Sequence, residues 1–302
     1  MTVMIAAPPS SSAGAAEKFT VIFTTPPNYA SRLSNLFTQK GHKPIWCPTI
    51  TTDITPCAVI SLTRHLSPPS ISLLSAIAFP SRTAISAASA AITVLQKPIL
   101  PPSGDGDEGF VLAALGRDAA MIDRDFVSQF SSDEDRVRVI VPSIATPTGL
   151  VESLGSGRGR RILCPVPSVV ELTEPPVVPR FLRDLEIAGW VPIRVDAYET
   201  RWVGPTCAEA MVAAVDDVDA VVFTSTAEVE GLLKGLREMG WDWTAVKRRR
   251  PQLVTAAHGP VTEAGAERLG VRIDVVNDKF GSFEGVVEAL DTRMRDSAID
   301  EL

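Results

Sequence analysis

Ser225 and Glu228 stand three residues apart, directly after the apolar run Ala220-Val221-Val222-Phe223. That spacing is a capping box. The hydroxyl accepts from a backbone N–H of the first helical turn, and the carboxylate reaches back. Such a cap stabilises a helix by about 1 kcal/mol. The same turn can also bind. A helix N-terminus carries partial positive charge and unpaired N–H donors, so it can hold a ligand carboxylate. Thr224, Ser225 and Thr226 build this turn. Gly259-Pro260-Val261-Thr262 repeats the device. Gly259 permits close approach, Pro260 suits the first helical position and Thr262 adds a hydroxyl. Ser282 caps a final helix in the same way. Ser81 and Gly116 are the counterparts in an earlier part of the chain, with Arg82 and Arg117 beside them. Several such turns around one cleft fit a ligand with several carboxylates better than a single phosphate.

Groups for acid–base work are few. Of three histidines, His42 and His65 fall in apparent loops and read as incidental. His258, beside Gly259, is either a partly buried turn residue or a general acid–base group. Tyr198, in Val195-Asp196-Ala197-Tyr198-Glu199-Thr200, packs into a core or, if it faces a ligand, donates a proton. No Ser–His–Asp order, HExxH or paired-carboxylate arrangement stands out. Gly155-Ser156-Gly157-Arg158-Gly159 leads into a strand, so it fails as a dinucleotide fingerprint. The acids between Leu100 and Gly109 lack calcium-loop spacing in what reads as a surface loop, and the four cysteines lack CxxC spacing. No metal and no cofactor is expected.

The elements that position these residues come in duplicate. Ala76-Ile77-Ala78-Phe79-Pro80-Ser81 parallels Ala220-Val221-Val222-Phe223-Thr224-Ser225. Ala113-Ala114-Leu115-Gly116 parallels Ala256-Ala257-His258-Gly259, and Gly149-Leu150-Val151-Glu152 parallels Gly285-Val286-Val287-Glu288. Repeats this long are duplicated domains. Each pair sits where an apolar strand run ends and a helical pattern begins. Strands alternating with helices make the expected fold α/β: two similar lobes, each a parallel sheet with helices on both faces, joined by a two-stranded linker. One lobe takes residues 18–42 and 204–295, the other 57–190. Linker strands occupy 43–56 and 191–203, and pair as an antiparallel ladder that can hinge. The N-terminal strand and helix have no partner in the other lobe's repeat. Cys164 ends a strand and is a buried small hydrophobe; the proline-rich 165–179 runs extended. Val271 to Val276 reads as a strand. Residues 1–17 and 296–302 are tails.

Composition limits the partners. With 302 residues and 45% hydrophobic content, each lobe can bury a core. A net charge of −7 argues against nucleic acid. Lys247-Arg248-Arg249-Arg250 reads as a solvated loop. No apolar run is long enough for a membrane span, and no heptad calls for a dimer, so a monomer is expected. Scattered cysteines fit a reducing compartment, cytoplasm or plastid stroma. Met1 to Ala16, rich in Ala, Ser and Pro, reads as a short tail and not as a complete transit peptide.

Taken together, Ala220 to Ser225, Tyr198-Glu199-Thr200, Ala256 to Thr262 and Phe280 to Leu290 resemble the uroporphyrinogen-III synthase family, with Ala76 to Ile85 as the equivalent motif of the other lobe. The resemblance runs from Phe19 to about Leu290. It implies a two-lobed α/β fold with one discontinuous domain, and no metal or cofactor. It implies hydroxymethylbilane, a linear tetrapyrrole with acidic side chains, as substrate, and a hydro-lyase reaction: loss of water and ring closure with inversion of the last pyrrole through a spiro intermediate. Tyr198 matches the family tyrosine proposed to help the hydroxyl leave; Thr224, Ser225, Gly259 and Thr262 match turns that bind carboxylates. Three departures stand out. His258 replaces a usual aliphatic residue, Val261 stands where a hydroxyl residue is common, and Pro165-Val166-Pro167 replaces a usual glycine and arginine. An inactive or altered paralogue that binds a tetrapyrrole or another polycarboxylate is the alternative.

Overall fold

The computed structural model describes residues 19–101, 109–277 and 282–300. The two terminal stretches read as tails therefore lie wholly or partly outside the described residues, as do most of the acidic loop and Phe280.

In chain order the first elements are β1 (Thr20–Phe23), α1 (Pro27–Gln39), β2 (Lys43–Trp46), β3 (Ile50–Asp53), α2 (Pro56–Leu66) and α3 (Pro68–Ile71). Then come β4 (Ala76–Phe79), α4 (Arg82–Thr93), β5 (Phe110–Ala114), α5 (Arg124–Ser128), β6 (Val137–Ile140) and α6 (Pro147–Leu154). The chain continues with β7 (Arg161–Val170), α7 (Val177–Ile187), β8 (Val191–Trp202) and α8 (Glu209–Ala213). It ends with β9 (Ala220–Phe223), α9 (Thr226–Glu238), α10 (Trp243–Arg249), β10 (Val254–Ala257), α11 (Pro260–Arg268), β11 (Val275–Val276) and α12 (Phe283–Asp300).

The described residues form two sheets, with strand orders β11-β10-β9-β1-β2 and β3-β8-β7-β4-β5-β6. All pairings are parallel except β3 with β8. The strands at the centre are short apolar runs because both of their faces are covered. In β1, Val21 and Phe23 pack with α1 and α12, while Ile22 faces the cluster around α9 and α11. In β4, Ile77 and Phe79 pack against α2 and α4, while Ala76 and Ala78 face Leu150, Phe181 and Leu185. Period-2 alternation thus feeds two cores per lobe.

The orders of the two sheets match once the lobes are aligned. β4-β5-β6 corresponds to β9-β10-β11, and β7-β8 to β1-β2. The N-terminal strand and helix therefore do have counterparts, β7 and α7. They escaped sequence comparison because they precede their repeat in one lobe and follow it in the other. The lobes are related as circular permutants.

Several expectations need correction. Residues 43–46 pair with β1 inside the first sheet, so only β3 and β8 form the antiparallel ladder. Cys164 is buried as expected but does not end its strand, because β7 runs on to Val170 beside β8. From Cys164 onward β4 no longer flanks β7, and one edge without a neighbour tolerates Pro165 and Pro167. Residues 247–249 end α10 instead of forming a loop, and Arg249 and Arg250 pair with Asp216 and Asp219. His65 lies in α2, not in a loop. Only Val275 and Val276 of the stretch 271–276 form a strand. Gly116, in the lobe of residues 57–190, opens a short 3-10 turn, Gly116–Met121, and not an α-helix.

Candidate active site

In each sheet the strand order reverses direction at one point, between β1 and β9 and between β4 and β7. Loops at the carboxyl ends of strands diverge there and leave a crevice. The two crevices face one another across a cleft of about 630 Å³. This is well within the range of about 300–1,000 Å³ for small-molecule sites. Its walls are the turns after β1, β9 and β10 on one side and after β4, β5 and β6 on the other. Its floor is the bridging strands, through Ile50, Thr52, Val166, Pro167, Val169, Tyr198 and Thr200.

Tyr198 joins the two candidate roles. Its ring packs in the core with Phe79 and Ala84, and its residue is 7% exposed, yet it lines the cleft. Its hydroxyl lies 2.9 Å from Ser81 Oγ. Ser81 Oγ also accepts from the Ala84 N–H at 3.2 Å, capping α4. With Ser81 as donor, the phenol keeps its own proton for a ligand. Burial pushes the Tyr198 hydroxyl up to about 12, so it stays protonated.

The Ser225 turn is capped, but not by the expected reciprocal box. Ser225 Oγ accepts from the Glu228 N–H at 3.4 Å. The Glu228 carboxylate turns instead to the Thr224 N–H at 2.8 Å, the Thr24 hydroxyl at 2.8 Å, and the hydroxyls of Thr224 and Ser225. Those two hydroxyls thereby donate inward. Toward the cleft the turn offers backbone N–H groups and lone pairs. Thr262 donates to the Thr224 carbonyl at 3.2 Å and ties the two turns of this lobe together.

Among the described residues, Arg32, Arg82 and Arg117 line the cleft. Arg32 grips Glu284 through both carboxylate oxygens, at 2.8 and 3.1 Å, and Arg117 reaches Glu284 at 3.4 Å from the opposite lobe. Arg32, with help from Ser282, holds the Glu284 carboxyl down to about 2. Asp118 is shifted upward by burial, against the pull of Arg82. Tyr29 is raised by burial and by Asp118 across the cleft. Burial lowers His258, Arg32 adds to this, and the ring packs edge-on against Phe283 at 5.2 Å. A neutral packing imidazole is the result. A smaller chamber of about 260 Å³ continues from the cleft between α7 and α11, and holds Arg180 and Arg268.

A family model, Uroporphyrinogen-III synthase HemD, matches residues 31–286. The chain belongs to the uroporphyrinogen-III synthase family. It therefore joins the enzymes of tetrapyrrole biosynthesis. A mutant uroporphyrinogen III synthase from the extreme thermophile Thermus thermophilus is a fold neighbour, with a TM-score of 0.57 at 16% identity over 93% of this chain and 100% of that one. The enzyme from Helicobacter pylori gives 0.47 at 12% identity, over 91% and 100%. No curated protein sequence matches significantly.

Of the residues expected at a uroporphyrinogen-III synthase site, the cleft brings together Tyr198, Ser81, Arg82, Gly116, Arg117, Thr224, Ser225, Thr226, His258, Gly259 and Thr262. It does not include Ser282, which is spent on capping α12 through the Gly285 N–H at 3.2 Å and on Glu284 at 2.8 Å. Sequence reasoning missed Tyr29, Arg32, Asp118 and Thr146. The signal for Tyr29 and Arg32 was present: Pro26-Pro27-Asn28 after β1 is one more strand-to-helix turn at the same sheet edge. No helix among the described residues is long and apolar enough to cross a membrane. No group of three or more His, Cys, Asp or Glu there is arranged to hold a metal ion.

Proposed function

We propose that the cleft closes hydroxymethylbilane into uroporphyrinogen III, with loss of water and inversion of the last pyrrole ring. The observation that carries this reading is the Tyr198 phenol on the floor of a cleft ringed by helix-start turns of both lobes, where burial favours its protonated form. The turns and arginines hold the acidic arms, and Tyr198 meets the terminal hydroxymethyl group. As the C–O bond breaks, the pyrrole nitrogen supplies the electron pair and Tyr198 gives its proton to the departing oxygen. A hydroxide-like leaving group is far more basic than a phenolate, even one raised by burial, so the transfer runs downhill. The carbon that forms the new ring bond later releases a proton, so no net proton is consumed. Nothing is oxidised or reduced, and the reaction calls on no redox cofactor.

Selectivity comes from geometry. The bilane free in water closes to the uninverted isomer, so the protein must bend the chain until the inverted position is the one attacked. A monomer supplies both walls of this site. Three free cysteines are buried, in keeping with a reducing compartment, cytoplasm or plastid stroma.

The test supplies fresh hydroxymethylbilane, oxidises the product and separates the isomers. The type III isomer is expected to dominate. Type I alone overturns the reading; if a tetrapyrrole still binds, the protein is a binder built on the same scaffold.

A further inference from the structure

We infer that Arg32 and Arg117 form a carboxylate subsite across the mouth of the cleft, and that Glu284 fills this subsite until a ligand carboxylate displaces it. The inference rests on the reading that the cleft receives a polycarboxylate.

Three observations converge on it. Arg32 projects from α1 in one lobe and Arg117 from the turn after β5 in the other, and both line the cleft. Both guanidinium groups close on one carboxylate, at 2.8 and 3.1 Å from Arg32 and 3.4 Å from Arg117. That carboxylate belongs to the protein itself, beside Phe283, which does line the cleft. Two cations from opposite walls, already spaced for one carboxylate, are a mould for a carboxylate arm of the ligand. The groups can also part. Their side chains are 49%, 68% and 39% exposed for Arg32, Arg117 and Glu284. Exchanging one partly exposed ion pair for another is nearly neutral. Arg32 stays in place during the exchange, because its guanidinium lies over the Phe283 ring at 5.3 Å. Ser282 holds the Glu284 carboxylate by a second bond of 2.8 Å, which gives it somewhere to rest.

A plain latch between lobes would explain the same contacts, and the molecule contains a control for it. Glu230 on α9 accepts from the Thr173 N–H at 3.0 and 3.1 Å and from its hydroxyl at 2.8 Å. This second inter-lobe contact lines no part of the cleft.

The experiment titrates wild type and variants with uroporphyrin, the stable oxidised macrocycle with eight carboxylates, by fluorescence at low salt. Glu284→Gln removes the competing charge and keeps the shape. It is expected to tighten binding about two- to fivefold, the range of a partly exposed ion pair. Glu230→Gln is expected to change nothing. Arg117→Gln is expected to weaken binding, and to weaken it more in the Glu284→Gln background, where the arginine is fully available to the ligand. Equal tightening by Glu230→Gln overturns the inference in favour of a latch. So does a Glu284→Gln protein that binds no tighter than wild type, and in that case the polycarboxylate reading survives. A wild type that does not bind uroporphyrin overturns that reading and this inference together.

Discussion

Glu228 tests the reasoning about the site most severely, because one buried carboxylate shapes a whole turn. Its residue is 1% exposed and it accepts from one backbone N–H and three hydroxyls. In Glu228→Gln the amide oxygen can stay with the Thr224 N–H and the Thr24 hydroxyl. The new NH2 then faces the hydroxyls of Thr224 and Ser225, which can rotate to accept. Bonds are kept and a buried charge is removed, so the cost should stay below about 1 kcal/mol. In Glu228→Ala the Thr224 N–H cannot rotate and is orphaned, at about 1–3 kcal/mol. The void adds about 1 kcal/mol, for a total of about 2–4 kcal/mol. The pH trend has a definite sign. Burial raises the Glu228 carboxyl above its ordinary 4.5. A raised acid contributes stability that is complete below about pH 4.5 and is lost as pH rises through the folded value. Wild type should therefore lose ground to Glu228→Gln as pH rises above 4.5 and through the folded value. Urea unfolding followed by tryptophan fluorescence at several pH values measures both effects. A Gln variant as damaged as the Ala variant, or one that loses ground as pH rises, would refute this account.

Other consequences follow from the same geometry. Tyr198→Phe should lower kcat by about 10²–10⁴ with little change in KM, and an unchanged kcat would remove the proton-donor role. In wild type the rate should show no tyrosine limb until pH approaches 12, because the protonated phenol is the working form and burial holds it there; a fall at pH 9 would contradict this. Gly265→Ala would put a Cβ 1.9 Å from Thr226 Oγ1 between α11 and α9. It should cost about 1–3 kcal/mol, recovered only in part in a Thr226→Ala background, where the residue 226 Cβ still stands 2.7 Å away, as read by thermal unfolding. Arg180→Gln and Arg268→Gln, in the side chamber, should each raise KM and flatten its dependence on salt, with kcat little changed.

The legible part of the fold was carried by local pattern. Buried runs such as Ala220–Phe223 and Ala76–Phe79 announce central strands because both faces are covered, and Ser81, Ser225 and Ser282 announce helix starts through their caps. The equivalence of Gly149 and Gly285 was readable too, and the structure gives its reason. Each N–H bonds the capping hydroxyl three residues earlier, and a Cβ would come within 2.3 Å of Ile144 O or within 2.2 Å of Asn277 Oδ1. What escaped depends on pairing at long range. β1 pairs with β9 almost 200 residues away, so the permuted β1-α1 unit, though assigned to its own lobe, was not matched to β7-α7, and its turn at Pro26-Pro27-Asn28, with Tyr29 and Arg32, was not counted among the binding turns. Nor does the sequence say that the Thr224 and Ser225 hydroxyls point at Glu228 and away from a ligand.

The proline-rich stretch looked like damage to the site, and the geometry argues the opposite. Val166, Pro167 and Val169 line the cleft, and Pro167 lies in register with Tyr198 across a bulge between Val166 and Pro167. The bulge lets two residues of β8 pass opposite one step of β7, which re-aims the strand where Tyr198 turns toward the cleft. Prolines on the strand beside it remove backbone freedom, so the position of the phenol is held before a ligand arrives. His258 follows the same logic. Held neutral by burial, it packs on Phe283 as an apolar side chain would, and adds no charge to a wall that already carries Arg32. Replacing Pro165 and Pro167 by alanine should therefore loosen Tyr198 more than it weakens the fold. The expected signature is a mixed isomer product with a nearly unchanged unfolding midpoint. A variant that keeps full selectivity for the type III isomer would show that β8 alone positions the phenol.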